Sequence, residues 1–550
     1  MSLLSLRDLK VDFETRKGTV NAVRGVSLEV GKGEIVGIVG ESGSGKSVTS
    51  YALMRLLDKG GTISGGDLAY GGIDLKSAKE STMRDLRGRE ISMIFQNPRA
   101  ALNPIRKVGH QIEDVLRRHA KATRANARAE AIKALKAVRI NDAENRYEAY
   151  PFELSGGMCQ RIVIAIALAC DPKLLIADEP TTGLDITTQK AVMDLIADLI
   201  VERGMSAMVI THDLGLAAQY CSRIVVMKDG EVVEAGSARK LFSSPEHPYT
   251  QKLVDATPRA GVSVRELLLP ELRTPMPLTQ IVETPLLEVR DLYKTYKGKS
   301  GPVHAVNGLS FAIKKGQSVG LVGESGCGKS TTSSMLVRLL DSTKGEILFK
   351  GEDLAAIPAK QFARDPRRAS IQMVFQDATD SFNPRHTARQ IIGEPLARLS
   401  PLNRSARKAR IDELADLVGL PVALLDRFPH QLSGGQKARV GIARAIALEP
   451  EFLVLDEPTA ALDVSIQAIV LNLLVDLRAK LGISYLFVSH DLNVVRLLCD
   501  EVIVMKAGEI VESGPAEQIM SSPDHPYTRT LLEAAPHPPV LSSQAAKAAE

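Results

Sequence analysis

Two glycine-rich segments have the residue types and spacing of a loop that binds nucleotide phosphates. They read GESGSGKS from Gly40 and GESGCGKS from Gly323, and each follows an apolar run that is typical of a strand. Glycines let backbone N–H groups turn toward phosphate oxygens, and the helix that follows adds its positive N-terminus. Lys46 and Lys329 would reach the β- and γ-phosphates. Both segments therefore predict nucleotide binding.

An acidic pair ends a second apolar run in each half of the chain. The acidic pairs are Asp178-Glu179 and Asp456-Glu457. The hydroxyls of Ser47 and Ser330, which end the two phosphate loops, are expected beside them. The aspartates and hydroxyls suit Mg²⁺, partly through water, and the glutamates suit the orientation or deprotonation of an attacking water. A solvated loop is the alternative for an acidic pair taken by itself, and the phosphate loop in both halves favours the catalytic interpretation.

The chain repeats itself along its 550 residues, since the phosphate loop, the acidic pair and the segments LSGG and HPYT occur twice in the same order. This predicts two copies of one domain, at residues 1–256 and 286–536. Residues 257–285 are rich in proline and predict a linker, and residues 537–550 a flexible tail. The linker could stay flexible and span on the order of 30 Å, or pack along one domain through residues 267–269.

Within each half, short apolar runs alternate with helical patterns. EIVGIVG, LLIADEP and SAMVITHD are continuously apolar before their polar ends, which predicts strands covered on both faces. Residues 187–203 have a helical pattern between two of these runs. The alternation predicts an α/β fold with a parallel sheet.

The composition excludes several classes of protein. The 69 basic and 65 acidic residues leave a net charge of only +4, and Trp is absent, so no nucleic-acid partner is expected. The five cysteines are scattered without a CxxC pair, which favours a reducing compartment. The longest apolar run, residues 162–170, is shorter than the roughly 20 residues of a membrane span. A cytoplasmic protein that could dock on a membrane protein is expected.

The segment LSGG precedes a predicted helix at Leu154 and again at Leu432. A Ser and two glycines at a helix N-terminus form a second anion site. LSGG between a phosphate loop and a strand-ending Asp-Glu pair resembles the signature of ABC ATPases, and the resemblance covers nearly the whole chain. It implies in each half a RecA-like core sheet, an antiparallel β subdomain and a helical subdomain that carries the signature. It also implies that ATP is sandwiched between the two domains in a head-to-tail pair.

The resemblance implies the residues that contact ATP. In the first half these are Phe13, Gly40, Ser42, Gly43, Ser44, Gly45, Lys46, Ser47, Val48, Ser155, Gly156, Gly157, Met158 and Asp185. In the second half they are Tyr296, Gly323, Ser325, Gly326, Cys327, Gly328, Lys329, Ser330, Thr331, Ser433, Gly434, Gly435, Gln436 and Asp463. Phe13 and Tyr296 resemble the aromatic residue that stacks on adenine, with a strand core residue as the alternative for Phe13. Asp185 and Asp463 resemble the D-loop residue that links the two sites.

The remaining catalytic residues are also carried over from the resemblance. Gln96 and Gln376 resemble the Q-loop glutamines, which approach Mg²⁺ and move with the transporter. His212 and His490 resemble the switch histidine that contacts the γ-phosphate. Both halves have the complete set, so two competent sites are expected. Met158 stands where the common signature has Gln, which raises the possibility of two unequal sites.

Each half ends in a related tail, LFSSPEHPYTQKLVDATP and IMSSPDHPYTRTLLEAAP. The pattern resembles the tail of the ATPase subunits of oligopeptide, dipeptide and nickel importers, and structurally it suits a turn into a helix with Pro at the start. The resemblance implies an ATP-hydrolysing subunit at the cytoplasmic face of a bacterial inner membrane. Its partners would be two permease subunits and an extracytoplasmic solute-binding protein.

Two further expectations concern cysteines and a second function. The HPYT tails contain no cysteine, so no iron–sulfur cluster is expected. Cys327 lies beside the N–H groups of the second phosphate loop, a setting that predicts a lowered thiol pKa. The alternative function is a soluble tandem ABC ATPase that acts on ribosomes. Such proteins usually have a long charged helical linker, whereas this linker is short and rich in proline.

Overall fold

The computed structural model describes residues 2–15, 18–119, 121–298, 301–376, 381–460 and 462–536. The described chain divides into two compact units, one over residues 2–257 and one over Pro258–Ala535. The predicted tail at residues 537–550 lies outside the described residues. None of the helices within the described ranges combines the length and the apolar character needed to cross a bilayer.

The first unit alternates strands with helices. Its strands are β1 (Ser2–Thr15), β2 (Gly18–Gly31), β3 (Ile35–Val39), β4 (Gly61–Tyr70), β5 (Ile73–Asp74), β6 (Ile91–Ile94), β7 (Leu174–Asp178), β8 (Ser206–Thr211), β9 (Arg223–Lys228) and β10 (Glu231–Gly236). Its helices are α1 (Lys46–Leu53), α2 (Glu80–Leu86), α3 (Pro98–Ala101), α4 (Val108–Arg118), α5 (Ala127–Ala137), α6 (Ala143–Tyr147), α7 (Gly156–Leu168), α8 (Ile186–Arg203), α9 (Leu214–Tyr220), α10 (Ala238–Ser243) and α11 (Pro248–Ala256), with a 3₁₀ turn at Pro151–Glu153.

The second unit repeats this order of elements. Its strands are β11 (Val282–Gly298), β12 (Gly301–Lys315), β13 (Ser318–Val322), β14 (Lys344–Phe349), β15 (Glu352–Asp353), β16 (Ile371–Val374), β17 (Phe452–Asp456), β18 (Ser484–Val488), β19 (Glu501–Lys506) and β20 (Glu509–Pro515). Its helices are α12 (Lys329–Leu336), α13 (Ala359–Phe362), α14 (Ala388–Leu399), α15 (Arg404–Leu417), α16 (Gly434–Ile446), α17 (Val464–Leu481), α18 (Leu492–Leu498), α19 (Ala516–Ser521) and α20 (Pro526–Ala534). Its 3₁₀ turns are Val264–Leu267, Pro270–Leu272, Pro366–Ser370, Val422–Leu424 and Pro429–Gln431.

Each unit has, over its described residues, a six-stranded core sheet and a four-stranded antiparallel sheet. The core order is β10-β9-β3-β8-β7-β6 in the first unit and β16-β17-β18-β13-β19-β20 in the second. In each, the last strand in chain order, β10 or β20, runs antiparallel to its neighbour, and the other pairings are parallel. The antiparallel orders are β2-β1-β4-β5 and β12-β11-β14-β15. The predicted α/β fold with a parallel core sheet and an antiparallel subdomain is confirmed.

Burial explains why the apolar runs became parallel strands. All residues of β7 and β8 are buried, because the helices that connect parallel strands cover both faces of the sheet. The polar ends of β3, β7 and β8 lie at one edge, since parallel strands share their direction. Helices α4 to α7 form the helical subdomain between β6 and β7, and their apolar residues join one core with β7 and β8.

The proline-rich segment belongs to the second unit and packs on helix α17. Val264 and Leu267 are buried. The guanidinium of Arg265 donates to Asn472 Oδ1 at 3.0 Å and forms an ion pair with Asp476, while Asn472 Nδ2 donates to the Val264 carbonyl at 2.7 Å. Of the two interpretations, packing along one domain is the one that the structure supports, and β11 begins inside the predicted linker.

Candidate functional site

The two phosphate loops connect β3 to α1 and β13 to α12. Gly45 and Gly328 are the N-caps of these helices, with φ of 95° and 107°. A Cβ atom would lie 2.7 Å from the Ala22 carbonyl oxygen at Gly45 and 2.3 Å from the Ala305 carbonyl oxygen at Gly328. The glycines are therefore required both by backbone conformation and by close packing.

The loop lysines fold back over their own loops. Lys46 is buried, and its Nζ donates to the carbonyl oxygens of Gly40 at 2.7 Å and Glu41 at 2.9 Å. Lys329 Nζ donates to the Gly323 carbonyl at 2.7 Å in the same way. The ammonium groups are thus held at the mouth of a loop whose N–H groups suit an anion.

The aspartates that end β7 and β17 have the properties of cation ligands. Ser47 Oγ donates to Asp178 Oδ1 at 3.0 Å. Within the part of the chain that the structure describes, the buried atoms Asp178 Oδ2 and Asp456 Oδ1 have no hydrogen-bond partner. Burial raises the pKa of both aspartates to about 6. A buried carboxylate oxygen beside a hydroxyl suits a hard divalent cation, which would supply the missing partner.

The glutamates that follow these aspartates are held by side chains from three segments. Gln96 Nε2 donates to Glu179 Oε2 at 2.7 Å, and His212 Nδ1 lies 3.3 Å from Glu179 Oε1. Thr182 Oγ1 donates to the same Oε2 at 2.9 Å. Burial by itself raises the pKa of Glu179, but the hydrogen bonds from these neighbours lower it to about 2. The carboxylate is therefore charged and fixed in place.

The second unit repeats this arrangement with one donor fewer from the equivalent positions. Gln376 Nε2 donates to Glu457 Oε2 at 2.8 Å, and His490 Nδ1 lies 3.2 Å from Glu457 Oε1. Hydrogen bonding also lowers the pKa of Glu457 against the effect of burial. Burial opposes the charge of each histidine ring, yet the neighbouring glutamate raises the pKa of both His212 and His490. Ala460 stands where the first unit has Thr182.

The signature residues begin helices α7 and α16. Ser155 Oγ accepts from the Met158 N–H and Ser433 Oγ from the Gln436 N–H, both at 3.3 Å. Gln436 Oε1 also accepts from the Ser433 N–H at 3.0 Å, which completes a capping box. Met158 has no side-chain amide oxygen to accept the equivalent bond from the Ser155 N–H. The two signature helices are therefore capped differently. A Cβ at Gly157 would lie 2.6 Å from Thr188, which explains this glycine by helix packing as well.

The predicted D-loop aspartates lie at helix caps, and the two aromatic residues predicted to stack on adenine lie in strands. Asp185 and Asp463 are the N-caps of α8 and α17, and Asp185 Oδ1 accepts from the Thr188 N–H at 3.0 Å. Phe13 lies in β1, is partly buried and packs against the core of the first unit. Tyr296 in β11 is 41% exposed, which leaves ring surface for stacking.

The predicted lowering of the pKa of the Cys327 thiol is wrong. The side chain is 5% exposed, and burial raises the pKa of the thiol above its usual value despite the neighbouring Lys329. Desolvation of the thiolate outweighs the nearby positive charge. Cys327 instead occupies the place of Ser44 as a small buried side chain of the loop.

The HPYT tails contact the phosphate loops, a contact that the sequence motifs did not predict. The N–H of Glu41 donates to Tyr249 Oη at 3.0 Å, and the N–H of Glu324 donates to Tyr527 Oη at 3.1 Å. The histidines cap helices α11 and α20, and Pro is their first residue, as the turn-to-helix interpretation predicts. The repetition of HPYT at the end of both halves was the available signal.

Comparison with known proteins identifies the family. A family profile described as "ABC transporter" matches residues 23–182 and 306–460. A second, "Oligopeptide/dipeptide transporter, C-terminal region", matches residues 233–281 and 511–548. The chain is 43% identical over 560 aligned residues to the glutathione import ATP-binding protein GsiA of Pectobacterium atrosepticum, with 97% of this chain and 89% of that protein covered.

The chain is also similar to a second import protein and to a solved ATP-binding cassette. The GsiA protein of Salmonella choleraesuis is 42% identical, with 97% of this chain and 89% of that protein covered. A solved dimeric ATP-binding cassette, MJ0796 bound to ADP and phosphate, aligns at 28% identity and a TM-score of 0.39 over 42% of this chain and 98% of that chain. The ribosome-factor alternative has no support, since the full-length relatives are import ATP-binding proteins. The chain belongs to the ABC transporter family, as an ATP-hydrolysing subunit with two ABC domains that each end in an oligopeptide/dipeptide transporter region.

Proposed function

We propose that the chain energises a bacterial importer of peptides or peptide-like solutes by hydrolysing ATP at two sites. The observation that carries the hydrolytic part of this proposal is the repeated glutamate site, in which one carboxylate is held between a glutamine and a histidine in each unit. The glutathione named for the relatives makes small thiol peptides the first solutes to test.

ATP would bind along each phosphate loop, with Lys46 or Lys329 at the β- and γ-phosphates. Tyr296 and Phe13 would face the adenine. Mg²⁺ would be held by Ser47 and Asp178 in the first domain, and by Ser330 and Asp456 in the second, with Gln96 and Gln376 approaching it. When bound, the cation would neutralise charge on the phosphate oxygens.

Glu179 and Glu457 would accept a proton from the attacking water or fix its direction toward the γ-phosphate. Their hydrogen bonds support this role, because a carboxylate that is already oriented needs little reorganisation. His212 and His490, each 3.2–3.3 Å from a glutamate oxygen, would contact the γ-phosphate and hold the carboxylate. Asp185 and Asp463 would link each site to the signature of the other domain.

The two domains would close head to tail around ATP, with each phosphate loop facing the other domain's signature. Ser155, Gly156, Gly157 and Met158 would complete the second site, and Ser433, Gly434, Gly435 and Gln436 the first. The chain would lie at the cytoplasmic face of the inner membrane. It would bind two permease subunits and act with an extracytoplasmic solute-binding protein.

Uptake measurements test the proposed function. Cells that lack the gene for this chain should lose uptake of labelled glutathione or dipeptides. The wild-type chain should restore it, and a chain with Glu179→Gln and Glu457→Gln should not, although it is made in equal amount. Restoration by the double variant would contradict the proposed coupling. Unchanged uptake of all peptides in the deletion would contradict the solute class while leaving the ATPase assignment intact.

A further inference from the structure

The two domains differ at one side chain that contacts the catalytic glutamate. Thr182 follows Glu179 by one turn, and its hydroxyl donates to Glu179 Oε2 at 2.9 Å. Ala460 occupies the equivalent position after Glu457 and has a methyl group there. The difference therefore removes a donor without changing the length of the loop.

The turns that carry Thr182 and Ala460 have matching backbone hydrogen bonds. The Thr182 N–H donates to the Glu179 carbonyl at 3.2 Å, and the Ala460 N–H donates to the Glu457 carbonyl at 3.3 Å. The glutamates themselves have φ of 45° and 46°. Because the turns match, the side chain of residue 460 is placed to reach its glutamate, and alanine lacks the group to do so.

Thr182 shares an oxygen with the Q-loop glutamine. Both Gln96 Nε2, at 2.7 Å, and Thr182 Oγ1, at 2.9 Å, donate to Glu179 Oε2. Should the Gln96 amide move toward bound nucleotide, the hydroxyl would still hold this oxygen. In the second domain, Gln376 donates to Glu457 Oε2, and its departure would take away that support.

We propose that Thr182 is a positioning residue for the catalytic carboxylate of the first domain, and that Ala460 leaves the second domain without this support. The two ATP sites consequently hydrolyse ATP at unequal rates. This inference rests on the proposed function, since it requires Glu179 to act on the attacking water. The hydroxyl acts through the glutamate and does not touch the substrate.

The test compares Thr182→Val, which keeps the shape, with Thr182→Ser, which keeps the hydroxyl. ATP turnover is measured in the full chain and in a Glu457→Gln chain, where the remaining turnover comes from the first site. Thr182→Val should lower kcat by roughly three- to tenfold, the rate equivalent of one intramolecular hydrogen bond of ordinary strength. KM for ATP, the affinity for a fluorescent ATP analogue and the unfolding temperature should not change. Thr182→Ser should retain kcat.

A reciprocal variant tests the second domain. Ala460→Ser in a Glu179→Gln chain should raise the turnover of the remaining site by a similar factor. The inference is overturned if Thr182→Val keeps kcat in both chains, or if Thr182→Ser loses as much as Thr182→Val. Wild-type turnover in the Glu179→Gln, Glu457→Gln chain would instead contradict the proposed function, so the two failures are distinguishable.

Discussion

Glu179 and Glu457 adopt left-handed backbone conformations that are unfavourable for a residue with a side chain, with φ of 45° and 46°. In each case the backbone N–H is held by the next core strand, to Ile210 or Val488 at 2.9 Å. The fold thus imposes a strained geometry on the one residue type that the reaction needs at this position. Such strain is typical of functional sites.

Replacing both glutamates tests the catalytic role of this site. Glu179→Gln with Glu457→Gln should lower ATP turnover by about two orders of magnitude or more, because the amide cannot accept a proton from water. Binding of a fluorescent ATP analogue should persist, since the phosphate loops are unchanged. Glu231→Gln, at the exposed first residue of strand β10, is the control and should keep full turnover. Near-normal turnover in the double variant would contradict the catalytic role.

The HPYT tail of each unit supports the phosphate loop of that unit. Tyr249 and Tyr527 are buried and accept the N–H of the second residue of each loop. Glu234 fixes the start of helix α11 by accepting from the N–H groups of Glu246 and His247, both at 3.0 Å. The tail is therefore part of the nucleotide site as well as a family marker.

Removing the tyrosine hydroxyls should loosen the phosphate loops. Tyr249→Phe with Tyr527→Phe leaves two loop N–H groups without these acceptors, and we expect KM for ATP to rise by roughly three- to tenfold. Steady-state ATPase assays over a range of ATP concentrations measure this. Tyr70→Phe is the matched control, because its hydroxyl donates to the Glu90 carbonyl at 3.2 Å, outside the nucleotide site. An unchanged KM would show that the tail does not support the loop.

The Arg265 contact determines where the proline-rich segment lies. Its side chain is 7% exposed and the Asp476 side chain 51% exposed. Because one partner is half exposed, we expect Arg265→Ala to lower the free energy of unfolding of the second domain by about 1–3 kcal/mol. Urea unfolding measures this loss, and trypsin should cut the segment faster. Leu278→Ala, at a side chain 95% exposed, should change neither. Equal stability of both variants would show that the Arg265 contact does not hold the proline-rich segment.

The head-to-tail pairing of the two domains is a prediction that disulfide cross-linking can test. A Leu154→Cys thiol should form a disulfide with Cys327, which requires Cα atoms within about 7 Å, whereas Leu432→Cys should not. The other cysteines are replaced by Ala rather than Ser, because Cys221 and Cys499 are buried and a hydroxyl there would need a partner. Oxidation with and without Mg-ATP, followed by non-reducing electrophoresis, measures the bond. Cross-linking from Leu432→Cys instead would overturn the head-to-tail pairing.

Local sequence patterns were enough to predict the α/β fold, the tandem repeat and the family. These features depend on local patterns, namely glycine spacing, continuous apolar runs and repeated motifs, and such patterns survive without knowledge of contacts between distant segments. The placement of Lys46 at the start of α1 and of His247 as a helix cap follows from the same local rules.

The features that depend on burial and on distant partners could be read only from the folded structure. The charge near Cys327 predicts a lowered thiol pKa, but packing buries the sulfur and raises that pKa. The prolines predict a linker, yet Arg265 donates a hydrogen bond to Asn472 and forms an ion pair with Asp476, both far along the chain. Thr182 looks like an ordinary loop residue until the fold brings Gln96 and Thr182 to the same oxygen of Glu179. Desolvation and hydrogen bonding are set by neighbours in space, and local sequence does not contain them.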